Sequence, residues 1–142
     1  LMLTDFAATY VGRPFAEGAR DLDADGGLDC WGLVRQVYAR ERGIVLPRFS
    51  MVATGDAESI GRAICSEQVS TRWSRVNKRT PQVFDVVTMR RRGSKLESHC
   101  GVIAPGRRLL HCERQSGVVC VMLEHPAIVS RICGIWRYGE PA

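Results

Sequence analysis

The sequence predicts an α+β domain, with N-terminal helices packed on a C-terminal antiparallel sheet of five to six strands. Three observations carry this. Before residue 43, apolar residues recur at helical spacing. After residue 70 they recur at every second position. The period-two segments are joined by short turns at Pro105-Gly106, Ser116-Gly117 and Pro126. Helices first and a strand meander second are the signature of an α+β architecture.

Each element has its own signal. In residues 3–11, Leu3, Phe6, Ala7, Tyr10 and Val11 share one helix face, and Gly12 and Pro14 end the run. Residues 15–28 lack an apolar period and are rich in Asp and Gly, which predicts a surface loop. Asp29 is a suitable N-cap for a helix over 30–42, with Cys30, Leu33, Val34, Val37 and Tyr38 on one face and Gly43 as its stop. Residues 47–54 are expected to be irregular, and 56–65 to form a further short helix. Strands are predicted at 71–76, 84–90, 99–104, 108–113, 117–123 and 131–138. No repeat, low-complexity tract or boundary divides the chain, so residues 1–142 are expected to form a single domain.

Composition narrows the class. The chain has 142 residues, 45% of them apolar and 25% charged, which is globular rather than disordered. The longest apolar run, Val118–Leu123, is far short of the roughly 20 residues of a membrane span. No signal-peptide pattern is visible. The net charge of +5 is unevenly placed. Residues 72–95 carry Arg72, Arg75, Lys78, Arg79, Arg90, Arg91, Arg92 and Lys95, with Asp85 the sole acid. Such a surface suits an anionic polymer. Trp73 is the one aromatic among these cations that could stack a base, so no nucleic acid is expected as partner. The cysteines lack zinc-finger spacing. Cys65, Cys100, Cys112, Cys120 and Cys133 read as small buried hydrophobes rather than disulfide partners.

Cys30 is different, because it stands at the start of a helix. The unpaired N–H groups and partial positive charge there favour a thiolate. A thiolate nucleophile needs a base, and the base needs an orienter. His99 opens one predicted strand and His111 lies in the next. Pairing centred on residue 105 would set the two imidazoles directly opposite each other on one sheet face. His125, before Pro126, reads as a turn residue.

Together these residues resemble the NlpC family, papain-like cysteine peptidases that cleave bacterial peptidoglycan. Leu28-Asp29-Cys30-Trp31-Gly32-Leu33-Val34 resembles the family's nucleophile motif. Tyr10-Val11-Gly12-Arg13-Pro14-Phe15 is similar to its entry segment. Phe84-Asp85-Val86-Val87 resembles its Gly-Asp-(Leu/Val)-Val strand, and His99-Cys100-Gly101-Val102 its His-Val-Gly motif. His111 falls where the family places its third polar residue. The form Asp29–Arg35, with Gly43–Pro47 and Ile132–Tyr138, is most similar to a phage tail-associated branch.

The resemblance implies a papain-like fold, Cys30 as nucleophile, His99 as base and then acid, and His111 as its orienter. It implies peptidoglycan stem peptide as substrate, other phage tail proteins as further partners, and a location at a virion tail tip or in the bacterial periplasm or cell wall. It implies no cofactor. Many members carry a Tyr before the nucleophile. Phe15 stands there instead, which leaves the Cys30 backbone N–H as oxyanion donor, with Phe15 and Trp31 as candidates for binding substrate. Asp21, Asp23, Asp25 and Gly26 resemble the opening of a calcium loop, but its twelfth position is Gly32 instead of Glu, so an acidic turn is expected and no metal. Two alternatives remain open at this level: a weak or inactive structural tail protein, and a related amidase or acyltransferase using the same residues.

Overall fold

A computed structural model describes residues 5–19, 26–47, 72–90, 93 and 99–139. The expected helix at 56–65, the Asp21-Asp23-Asp25 turn, Cys65, Arg91, Arg92 and Lys95 lie outside these residues. The first helix, α1, is a single turn, Ala7–Tyr10, shorter than the 3–11 pattern predicts. α2 spans Cys30–Val37 and then widens into a π-helical turn over Tyr38–Arg42, where a continuous α-helix was expected. At that turn the Tyr38 hydroxyl donates to the Phe84 carbonyl. Asp29 caps α2 as predicted, its Oδ1 accepting from Gly32 N at 2.7 Å.

Six strands follow: β1 Trp73–Val76, β2 Val86–Met89, β3 His99–Ala104, β4 Arg108–Glu113, β5 Gly117–Met122 and β6 Ile132–Tyr138. A short helix, α3, Pro126–Val129, precedes β6. The sheet order is β1-β6-β2-β3-β4-β5 and every neighbouring pair is antiparallel. The two faces of the sheet bury different clusters. On one, α2 packs Leu33, Val34 and Val37 against Cys100, Val102, Leu110 and Cys112. On the other, Val87, Met89, Ile103, Leu109 and Ile135 pack with Leu123 and Ile128.

The resemblance to Gly-Asp-(Leu/Val)-Val has a local physical basis. Phe84 sits where that motif has glycine, and its φ is 77°, a left-handed value that costs a residue with a Cβ about 1–2 kcal/mol. Its ring stacks on Phe6 with centroids 5.1 Å apart, a contact glycine could not make. Asp85 follows, buried, and receives two hydrogen bonds from Arg137 at 2.9 and 2.8 Å. The basic segment is partly absorbed in the same way. Arg75 and Lys78 donate to the carbonyls of Cys133 and Ile132 on β6. Trp73 is buried against Tyr38 and Tyr138, so it offers no stacking platform.

The β3–β4 register differs from the expected one. Gly101, not His99, pairs with His111, and Val102 pairs with Leu110. The hairpin is centred one residue later than the turn arithmetic assumed, a shift that preserves which face each side chain occupies. His99 is therefore the diagonal neighbour of His111. A Cβ on Gly101 would lie 2.8 Å from the Leu110 carbonyl oxygen and 2.9 Å from His111 Cβ. We expect Gly101→Ala to destabilise the fold by roughly 1–3 kcal/mol and to displace His111. Denaturant unfolding measures the first effect, and an unchanged midpoint would contradict the tight fit.

Candidate active site

The N-terminal segment sets the floor of the site. Gly12 N donates to Val118 O and Val118 N to Arg13 O, so this segment lies against the edge of β5. The approach requires glycine at 117, where an added Cβ would fall 2.3 Å from Arg13 O. Phe15 then bridges Leu28 in parallel, and Ala16 N donates to Leu28 O. Leu28 and Asp29 lead directly into α2, so this ladder fixes the entrance of the helix that begins at Cys30.

Cys30 is 1% exposed. Its thiol is held well below the usual thiol range. The Cys100 side chain, donating to the thiolate, is the largest cause; burial opposes it; and the His99 ring contributes a hydrogen bond and its charge. Cys100 and Cys112 lie on the α2 face of the sheet, away from His111, as strand alternation predicts. Sequence reasoning did not foresee that Cys100 would thereby support the Cys30 thiolate. Cys112 donates to Leu28 O at 3.2 Å, and burial pushes its thiol up to about 12. It is a packing residue. Among the described residues Cys30, Cys112 and Cys120 are free thiols.

His99 is fully buried, and its two ring nitrogens are differently placed. Nε2 lies 2.9 Å from His111 Nδ1. Nδ1 has no fixed hydrogen-bond partner among the described residues, and it is the nitrogen left for the thiol. The rings are 5.2 Å apart at an angle of 70°. His111 sits 3.2 Å from Glu113 Oε1, which is also 3.8 Å from His99 Nε2. Burial pushes His111 below the usual imidazole range, although its hydrogen bond to Glu113 works the other way. The hydrogen bond with His111 is the main force holding Glu113 down, to about 2. At neutral pH the consistent state is an ionised Glu113 beside a neutral His111. Two Arg131 nitrogens lie 3.4 and 3.3 Å from the same Oε1 and fix the carboxylate from the far side.

Glu113 and Arg131 were not singled out from the sequence. Glu113 had a readable signal, since it lies two residues beyond His111 and shares its strand face. Arg131 had none, because it reaches the site only through the return of the chain into β6. Trp31 corrects the sequence reading. It is 1% exposed and its Nε1 donates to Pro47 O at 2.8 Å, so it anchors the segment after α2 and has no surface for substrate. His125 is the N-cap of α3, accepting from Ala127 N through Nδ1. Phe15 is half-buried under the Arg114 guanidinium, 5.9 Å from its ring centroid. In the first turn of α2, the Gly32 and Leu33 N–H groups are bound to Asp29; that of Cys30 is not among those so engaged.

The arrangement is a buried thiol with lowered pKa, an imidazole beside it, and a second imidazole on the far nitrogen of the first. Comparisons with known proteins give the chain's family and fold. Residues 12–137 match the NlpC/P60 family. An NLP/P60 family protein from Staphylococcus aureus Mu50, described as similar to lipoprotein, shares the fold, with TM-score 0.62 and 20% identity over 95% of this chain and 39% of that one. The NlpC/p60 domain of the peptidoglycan hydrolase SagA gives TM-score 0.55 at 18% identity over 91% and 90% of the two chains. The peptidoglycan hydrolase RipB from Mycobacterium tuberculosis gives 0.56 at 17% identity over 95% and 62%. The chain thus spans about two fifths of the first of these structures. No curated protein matches it. The family match spans Cys30, His99 and His111 together with the helix and strands that carry them, and the chain belongs to the NlpC/P60 family.

Proposed function

We propose that this domain is a cysteine endopeptidase that hydrolyses the peptide stems of bacterial peptidoglycan. One observation supports this above the others. A thiol with lowered pKa at a capped helix N-terminus lies beside an imidazole whose other nitrogen is held by a second imidazole. That is the arrangement of a nucleophile, its base and an orienter.

In this reading the Cys30 thiolate attacks the amide carbonyl, forming the C–S bond as the carbonyl electrons move onto oxygen. The Cys30 backbone N–H faces that oxyanion. As the tetrahedral intermediate collapses, the C–N bond breaks and His99 Nδ1–H protonates the leaving amine. Water then attacks the thioester, giving its proton to His99, and the thiolate departs. His111 serves both stages. When His99 is an imidazolium, its Nε2–H donates to His111 Nδ1. When His99 has given up its Nδ1 proton it keeps Nε2–H, so the same bond to His111 Nδ1 holds the ring and Nδ1 is open to take the proton from water. Resemblance to the tail-associated branch supports placing the domain at a phage or prophage tail tip, acting on the cell wall with other tail proteins. The bond between γ-D-glutamyl and a diamino acid is the one the family resemblance favours.

Incubation with purified stem peptides tests the reading. The parent protein should release fragments and Cys30→Ala should release none; equal release from both would overturn it. The lowered thiol pKa predicts the pH dependence of alkylation by iodoacetamide, followed at Cys30 by mass spectrometry. The thiolate persists above the lowered pKa, so reaction should stay fast below the ordinary thiol range near 8.5 and fall only as pH drops through the lowered value. His99→Ala should move the midpoint up, and a parent midpoint in the ordinary range would contradict the account. Finally, Phe15 leaves the site without the hydroxyl that many relatives carry. One oxyanion donor is worth on the order of 10²–10³ in rate, so Phe15→Tyr should raise kcat/KM towards that factor. An unchanged rate would show that no donor is missing there.

A further inference from the structure

We propose that His99, His111 and Glu113 form a site for a divalent first-row transition cation, typified by zinc, whose occupancy turns the hydrolase off. The inhibitory half rests on the peptidase reading above; the binding half does not.

The geometry carries the argument. His99 Nε2, His111 Nδ1 and Glu113 Oε1 define a triangle with edges of 2.9, 3.2 and 3.8 Å. A tetrahedral cation with metal–ligand bonds of about 2.0–2.1 Å separates its ligand atoms by about 3.3 Å. The three edges bracket that value, so the donors already outline one face of a tetrahedron. The set of two imidazoles and one carboxylate suits zinc and its neighbours, whereas calcium and magnesium prefer oxygen ligands.

The surroundings complete the case. Ligating groups are normally held by outer partners. Arg131 holds Glu113, and His99 Nδ1–H would point at the Cys30 thiolate. Access comes from an open cleft of about 590 Å³ on the sheet face opposite α2, lined in part by His111, Glu113 and Arg131. That cleft leaves the fourth coordination position for water. In the thiolate–imidazolium state the cation displaces the Nε2 proton of His99, which passes to solvent. His99 then keeps only its Nδ1 proton, and giving that up would leave an anionic imidazolate on the metal. Protonation of the leaving amine is blocked. The sequence hid this site because its ligands come from two strands, at no metal-binding spacing within either.

The decisive experiment uses Cys30→Ala, which keeps all three proposed ligands. Calorimetric titration with zinc chloride should show one ion per chain in this variant as in the parent. Glu113→Gln should weaken binding by at least about tenfold. Cobalt(II) on the parent should give tetrahedral visible bands without a thiolate-to-cobalt charge-transfer band. Loss of binding in Cys30→Ala, or a charge-transfer band, would overturn the proposal by making the thiol a ligand. So would unchanged affinity in folded Glu113→Gln, or no binding in the parent. The cobalt spectrum and the Cys30→Ala titration need neither a folded Glu113 variant nor any peptidase activity. A failed peptidase assay and a failed metal site are therefore separately visible. Zinc should abolish stem-peptide release by the parent, and a chelator should restore it.

Discussion

The hydrogen bond between His99 and His111 is the constraint on which the rest of the site depends. It exists because Gly101 stands opposite His111 and has no side chain. The missing Cβ lets the His111 ring settle on the strand beside it, and the diagonal contact brings Nδ1 within 2.9 Å of His99 Nε2. Once Nε2 is occupied, the ring of His99 cannot rotate without losing a buried hydrogen bond. Its Nδ1 is thereby left for the thiol. A glycine in the middle of a strand, usually a weakness, is here what orients the imidazole.

Cys30 is placed by an independent device. The Phe15–Leu28 bridge and the Asp29 cap define where α2 begins, and the helix lands on the face of β3 and β4 that carries Cys100 and Cys112. The sheet thus presents thiols on one face and imidazoles on the other, with His99 at the first position of its strand. Support for the Cys30 thiolate comes from both: from Cys100 first and from His99 after it. On the far side, Glu113 and Arg131 extend the polar chain from the imidazoles to the open cleft. Polar groups run from the Cys30 thiol past the two imidazoles to the guanidinium, which is why a cation bound among the imidazoles would be felt at the thiol.

Much of this was legible from local pattern. Strands β3 and β4 begin and end where the period-two signal places them, because both are buried and each is followed by a turn that carries glycine or proline. Cys30, His99 and His111 stood out as candidates because each lies in a motif with a mechanical reason for its residue type. What was not legible depends on distance in sequence. The β3–β4 register needed the true centre of the turn, which Arg107 with φ 54° and Gly106 with φ 82° move one residue on. Trp31 looked like a binding residue by adjacency, yet its side chain points into the core and donates to Pro47 O. Arg131 became visible only when β6 was seen to pass the site. Glu113 could have been found by carrying the strand alternation two residues past His111.

The account's central claim is that the two imidazoles act as one hydrogen-bonded unit with the second ring neutral. Nitrogen-15 NMR of the histidine side chains across a pH titration tests this directly. The account predicts that His111 titrates below the usual imidazole range and that protonation at one ring shifts the Nε2–Nδ1 pair of both. Two rings that titrate independently, with His111 at the value of an exposed histidine near 6.5, would contradict it.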